Sequence, residues 1–138
     1  MYKILGIALA TAFISSAPLV ASAQQQPGVT RTDLQRHDLS AAGHETVQAR
    51  IDIAPGSTAN WHRHPGEEVI YVLEGTLEYQ LEGRSPVTLR AGEVLFVPSN
   101  VAHRARNPGD INGAELATYI VRKHEPLVAP APEVTGSW

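Results

Sequence analysis

The chain has 138 residues, 11 Lys and Arg against 14 Asp and Glu, and no cysteine. That length bounds it to one domain, and 43% apolar with 18% charged residues fits a compact core and excludes a disordered polymer. Its acidic balance offers no basic surface for nucleic acid, and no disulfide supports the fold.

The first 23 residues read as a secretory signal peptide of the Sec type, which makes the mature protein periplasmic or secreted. Met1-Tyr2-Lys3 is a short positive start, Ile4 to Ile14 an apolar run, and Ala21-Ser22-Ala23 a small-residue cleavage site. The run is too short to span a bilayer comfortably, so no stable membrane span is expected after cleavage; an uncleaved anchor is the rival reading. No twin arginine is present, so export precedes folding and the domain meets any metal outside the cytoplasm, where the affinity order favours Cu and Zn. Loss of Lys3 leaves 10 basic against 14 acidic residues, a net charge of −4.

Residues 24–43 form a polar lead-in, with a possible edge strand over 31–39 whose polar character places it over the main body. Val47, Ala49, Ile51 and Ile53 alternate with Gln48, Arg50 and Asp52, the period of a half-buried strand, and Ala54-Pro55-Gly56 ends it. Gln48 and Arg50 lie on its polar face, where they either line a ligand mouth or sit in solvent or an interface.

His62 and His64 follow. Residues two apart on an extended strand point the same way, about 6 to 7 Å apart at the backbone, so both rings can reach one ion. Glu68 and His103 complete a donor set suited to a catalytic-type transition metal, because imidazole suits Zn, Cu, Fe and Ni and a carboxylate adds charge. For the pair alone, surface histidines beside a turn would be the plainer reading.

Residues 68–73 and 76–82 flank Glu74-Gly75, which predicts a hairpin turn with Gly at positive φ. That register sets Val72 opposite Leu77, Ile70 opposite Tyr79 and Glu68 opposite Leu81 on one sheet face. Val69, Tyr71 and Leu73 form an apolar row on the other face, to be covered by the N-terminal strand or a second subunit, and a homodimer is expected. Segments 87–90, 94–97, 102–107 and 114–122 are further short strands between Gly, Pro or Asn turns, spaced as in a sandwich or barrel. Residues 126–138, rich in proline, are expected to lack regular structure.

The segment from Gly56 through His62, His64 and Glu68 to Gly75 resembles the first signature of the cupin family, with every fixed position filled. The segment from Gly92 through Pro98, Asn100 and His103 to Asn107 resembles the second, with Asn100 where the family has Gly. Asn tolerates the left-handed backbone that such a turn needs. The resemblance covers roughly residues 44–122 and implies an all-β jelly-roll barrel, a cupin domain over 44–125.

It also implies one divalent transition metal per chain, of the set Zn, Fe, Mn, Ni and Cu, held by His62, His64, Glu68 and His103 with about two positions open for water, oxygen or a chelating substrate. With Glu68 pointing into the barrel, Ile70, Val72, Leu77, Tyr79 and Leu81 point inward with it. Tyr79 is then a catalytic candidate, able to hydrogen-bond a bound substrate or donate a proton, although a core role suits a buried phenol as well. Trp61 either walls the pocket, with Ile70, Val72, Leu77 and Leu81, or packs outside. His37, His44 and His124 have no motif around them and read as surface residues. No partnered serine or cysteine nucleophile and no phosphate loop is present.

The expected function is a metal-dependent dioxygenase-type oxidoreductase acting on a small, oxygen-chelating organic molecule. A metal-dependent lyase or isomerase and a non-catalytic small-molecule or metal-binding module remain alternatives.

Overall fold

A computed structural model describes residues 26–135. The signal-peptide reading of residues 1–23, and the last three residues of the tail, lie outside the described residues.

Among the described residues there is no helix, and ten strands run in chain order. They are β1 (Val29–Asp38), β2 (His44–Ile53), β3 (His62–Arg63), β4 (Gly66–Glu74), β5 (Thr76–Leu81), β6 (Val87–Arg90), β7 (Val94–Val97), β8 (His103–Arg106), β9 (Gly113–Arg122) and β10 (Ala129–Pro130). They form two five-stranded antiparallel sheets, ordered β1-β2-β9-β4-β7 and β10-β3-β8-β5-β6. This is the expected all-β jelly roll.

Alternation along each strand builds the interior. Val47, Ala49 and Ile53 on β2, Glu68, Ile70 and Val72 on β4, Leu77, Tyr79 and Leu81 on β5, and Ala117, Tyr119 and Val121 on β9 are all buried. Polar residues between them face outward. The inward set expected around Glu68 is therefore correct.

The hairpin expected between β4 and β5 is not formed. β4 pairs with β9 and β7, whereas β5 pairs with β8 and β6. Gly75 takes the expected positive φ of 70°, but its turn carries the chain from one sheet to the other. Ile70 and Tyr79 thus meet face to face across the core instead of edge to edge within one sheet. A two-residue connection fits either geometry locally, and burial of both inward faces decides between them.

β1 is an edge strand, as its polarity suggests, yet it does not lie over the barrel. It extends the first sheet through β2, at the edge farthest from β4 and β7. It therefore leaves the apolar row uncovered: Val69 (39%), Tyr71 (45%) and Leu73 (39%) are exposed and join Val94 and Phe96 of the neighbouring edge strand β7.

The tail has little regular structure, with one exception. Ala129–Pro130 pairs with Arg63 and His62 and so closes the edge of the second sheet.

Two signature residues have clear structural duties. Asn100 adopts φ 60°, the left-handed turn expected of it. Asn107 is fully buried, donating to the carbonyls of Ile53 (2.8 Å) and Ile111 (2.7 Å) and accepting from the Gly109 amide (2.9 Å).

Candidate metal centre

Three strands and one short connection bring the candidate donors together. His62 on β3 is the register partner of His103 on β8. His64 follows β3, and Glu68 reaches in from β4 on the facing sheet. The ligating atoms of His62, His64 and His103 lie within 4.8 Å of one another. Glu68 Oε2 stands 3.0 Å from His103 Nε2 and 3.3 Å from His64 Nε2.

Backbone carbonyls orient each ring. His62 Nδ1 bonds the carbonyl of Asn60 (2.8 Å), His103 Nδ1 that of Val101 (3.0 Å), and His64 Nδ1 that of Leu127 (2.6 Å). An Nδ1–H donor fixes the tautomer and leaves the Nε2 lone pair directed into the cluster. His64 Nε2, His103 Nε2 and Glu68 Oε2 are buried and have no hydrogen-bond partner among the described residues. Buried polar atoms without partners are rare unless something else satisfies them. Three imidazoles and one carboxylate so arranged fit a divalent transition ion.

The electrostatics differ from donor to donor. Burial, reinforced by His103 and His64, pushes His62 down to about 4, so it is neutral and able to ligate. For Glu68, burial opposes ionisation, but the contacts from His103 and His64 outweigh it and hold the carboxyl well below its usual range. Burial likewise opposes charge on His103, yet the adjacent Glu68 prevails and raises it.

The other candidates distribute as follows. Tyr79 is buried inside the barrel and donates a hydrogen bond to Glu115 on β9. Ile70, Val72, Leu77 and Leu81 are buried in the same interior cluster. Trp61 is buried under the Arg104 guanidinium, 4.9 Å from its ring, and lines a groove of about 560 Å³ with Thr58, Asn60 and Pro130. Gln48 bonds Gln35 and Thr118, while Arg50 pairs with Asp52 and Glu74 on the outer face. His37 and His124 are exposed, and half-buried His44 bonds the carbonyl of Ala42.

Sequence reasoning missed three contributors. Tyr119 packs against the His64 ring at 4.7 Å, the Leu127 carbonyl orients His64, and Glu115 joins Tyr79. Residues 115, 117, 119 and 121 share one strand face, so strict period-two reading would have placed Glu115 and Tyr119 inside. Nothing local marks the Leu127 carbonyl.

Comparison with known proteins agrees with the geometry. Protein SchB of Streptomyces halstedii is 42% identical over 83 residues, covering 59% of this chain and 55% of that protein. An oxalate-binding protein of Thermotoga maritima is 35% identical over 74 residues, covering 53% of this chain and 60% of that one. The chain thus spans little more than half the length of these relatives. The crystal structure of a cupin-like protein from Thermotoga maritima superposes with a TM-score of 0.63 at 26% identity, covering 78% of each chain. The cupin domain profile matches residues 49–119, and the chain belongs to the cupin family.

Proposed function

We propose that this chain is an exported, metal-dependent enzyme of the dioxygenase type, acting on a small organic molecule that chelates through oxygen. The observation that carries the reading is the set of Nε2 atoms of His62, His64 and His103 beside Glu68, oriented by backbone carbonyls and lacking protein partners at His64 and His103. Those four residues would hold one ion of the set Zn, Fe, Mn, Ni or Cu. A bound ion supplies Lewis acidity and, if redox-active, electron transfer between substrate and oxygen. Glu68 lowers the net charge of the centre. Ile70, Val72, Leu77 and Leu81 keep bulk water from the interior. Tyr79 gives its phenol proton to Glu115, so its oxygen can accept a hydrogen bond from a substrate hydroxyl.

A lyase or isomerase is the second reading, favoured by the buried Tyr79–Glu115 pair, because such chemistry needs a proton carrier and no oxygen. A non-catalytic ligand-binding module is the third, in keeping with an oxalate-binding relative. The deciding experiment is metal analysis of protein isolated from its exported location, followed by oxygen-electrode traces with catechol-like, flavonol-like and 1,3-diketone compounds. Oxygen uptake with turnover supports the first reading; turnover without uptake transfers support to the second. Full metal content in a His62→Ala/His64→Ala double variant would refute the ligand assignment.

The proposal includes a cleaved leader and a homodimer formed through the face of Val69, Tyr71, Val94 and Phe96. N-terminal sequencing that begins at Gln24 supports the first, and an intact Met1 on exported protein refutes it.

A further inference from the structure

Three of the four donor side chains are closed to solvent at their inward atoms. His64 Nε2, His103 Nε2 and Glu68 Oε2 are buried, so an ion reaches them only after some element moves. The strands that carry the donors are poor candidates for that movement. β3, β4 and β8 each run between two neighbours, as does β9 behind the cluster, and displacing any of them breaks a sheet from the inside. β10 is an edge with one neighbour and is two residues long.

Residues 123–131 lead to that edge as a strap, crossing from the end of β9 in the first sheet to β3 in the second. The strap meets two of the three histidines: the Leu127 carbonyl accepts from His64 Nδ1 (2.6 Å), and Pro130 is the register partner of His62. Its near end is fixed, because the Lys123 amide bonds the Gly43 carbonyl (2.9 Å) and the Lys123 ammonium pairs with Asp38 (2.7 Å). His124, next in the chain, holds φ 64°, which a non-glycine residue adopts only at a cost, so backbone rotation is locally favoured there. The far end is held by the short β10 pairing and by the Ala131 amide on the Trp61 carbonyl (3.0 Å), and Pro130 has no N–H to give to the ladder. Under the strap the packing is incomplete: a cavity of about 280 Å³ lies between residues 123–125 and 127 and Arg36, Glu45 and Val121 of the first sheet.

We propose that residues 124–131 form a gate to the histidine cluster: β10 peels from β3 about His124, admits the ion, and on closing returns the Leu127 carbonyl to His64. Closure thereby couples occupancy of the centre to the orientation of one of its ligands. An element held by so few hydrogen bonds opens more readily than the ladders around it. The inference rests on the metal-site reading above.

The test uses the mature chain and zinc. Arg63 and Ala129 are register partners, at the Cα separation a disulfide needs, on the sheet face opposite His62, and no native cysteine competes. In Arg63→Cys/Ala129→Cys, oxidation fastens β10 to β3 with the Leu127 brace in place. Zinc release to a chromogenic chelator should then be about tenfold slower than from the same protein reduced with a phosphine, with uptake slowed equally and the dissociation constant unchanged. Equal release rates in the two forms, or slower release without slower uptake, would overturn the inference. If the link does not form, hydrogen exchange on the unaltered chain decides. The Ala131 amide should exchange at least about tenfold faster than the amides of β9, and should slow when zinc binds. Protection of Ala131 equal to that of β9, with and without zinc, would overturn the gate. Fast Ala131 exchange in a chain that takes up no zinc would refute the metal reading and leave the moving strap standing.

Discussion

His62 and His103 face each other as register partners on adjacent strands, with ring centroids 4.3 Å apart. One backbone pairing thus joins the two signature segments, and both rings are braced in the same way, by a carbonyl two residues earlier. His64 lacks that local brace and takes its acceptor from Leu127 in the tail. Removing residues 127–138 should therefore lower metal affinity about 10- to 100-fold, as loss of a ligand-orienting partner does elsewhere. Competition with a chelator measures this, and unchanged affinity in a truncated chain with wild-type circular dichroism would rule out the bracing role.

Metal binding should stabilise the fold, because the four donors come from strands of both sheets and from the connection between β3 and β4. At free metal 100 times the dissociation constant, linkage gives about 2.7 kcal/mol, several degrees in Tm for a domain of this size. Identical melting curves with and without chelator would count against a site formed by the native fold.

Asn107 ties the start of its loop to two distant segments through buried hydrogen bonds. Asn107→Ala leaves the Ile53 carbonyl and its neighbours without donors in the interior, at a cost of about 2–4 kcal/mol. Chemical denaturation reads this directly, and a loss below the error of the method would assign the residue a different role.

Glu115 makes stability depend on pH with a defined sign. Its carboxyl is raised from 4.5 to about 8 in the folded chain, so between those values the unfolded chain has released a proton that the folded one retains. Stability is then full below pH 4.5 as far as this group is concerned and declines as pH rises through the interval up to about 8. Glu115→Gln should remove that decline. Parallel slopes of Tm against pH for variant and wild type would show that the carboxyl ionises normally.

The exposed apolar face on β4 and β7 predicts self-association. Light scattering after size exclusion should give a dimer for the wild type and a monomer for Tyr71→Glu/Phe96→Glu. A monomeric wild type at micromolar concentration would remove the case for this interface.

The donor residues themselves were legible without coordinates, since His-x-His, Glu68 and His103 stand at fixed spacings and period-two alternation marks Ile70, Val72, Leu77, Tyr79 and Leu81 as an inward face. The turn at Asn100 was legible too, because its conformational demand is local. Sequence by itself therefore determined which side chains face inward and which histidines cluster. The tertiary structure decided which strands pair, placing β4 beside β9 instead of β5, and it alone brought Glu115 to Tyr79 and the Leu127 carbonyl to His64. The reason is physical: alternation and turn chemistry act over a few residues, whereas these contacts join segments 36 and 63 residues apart, and their formation depends on how two sheets bury their faces together.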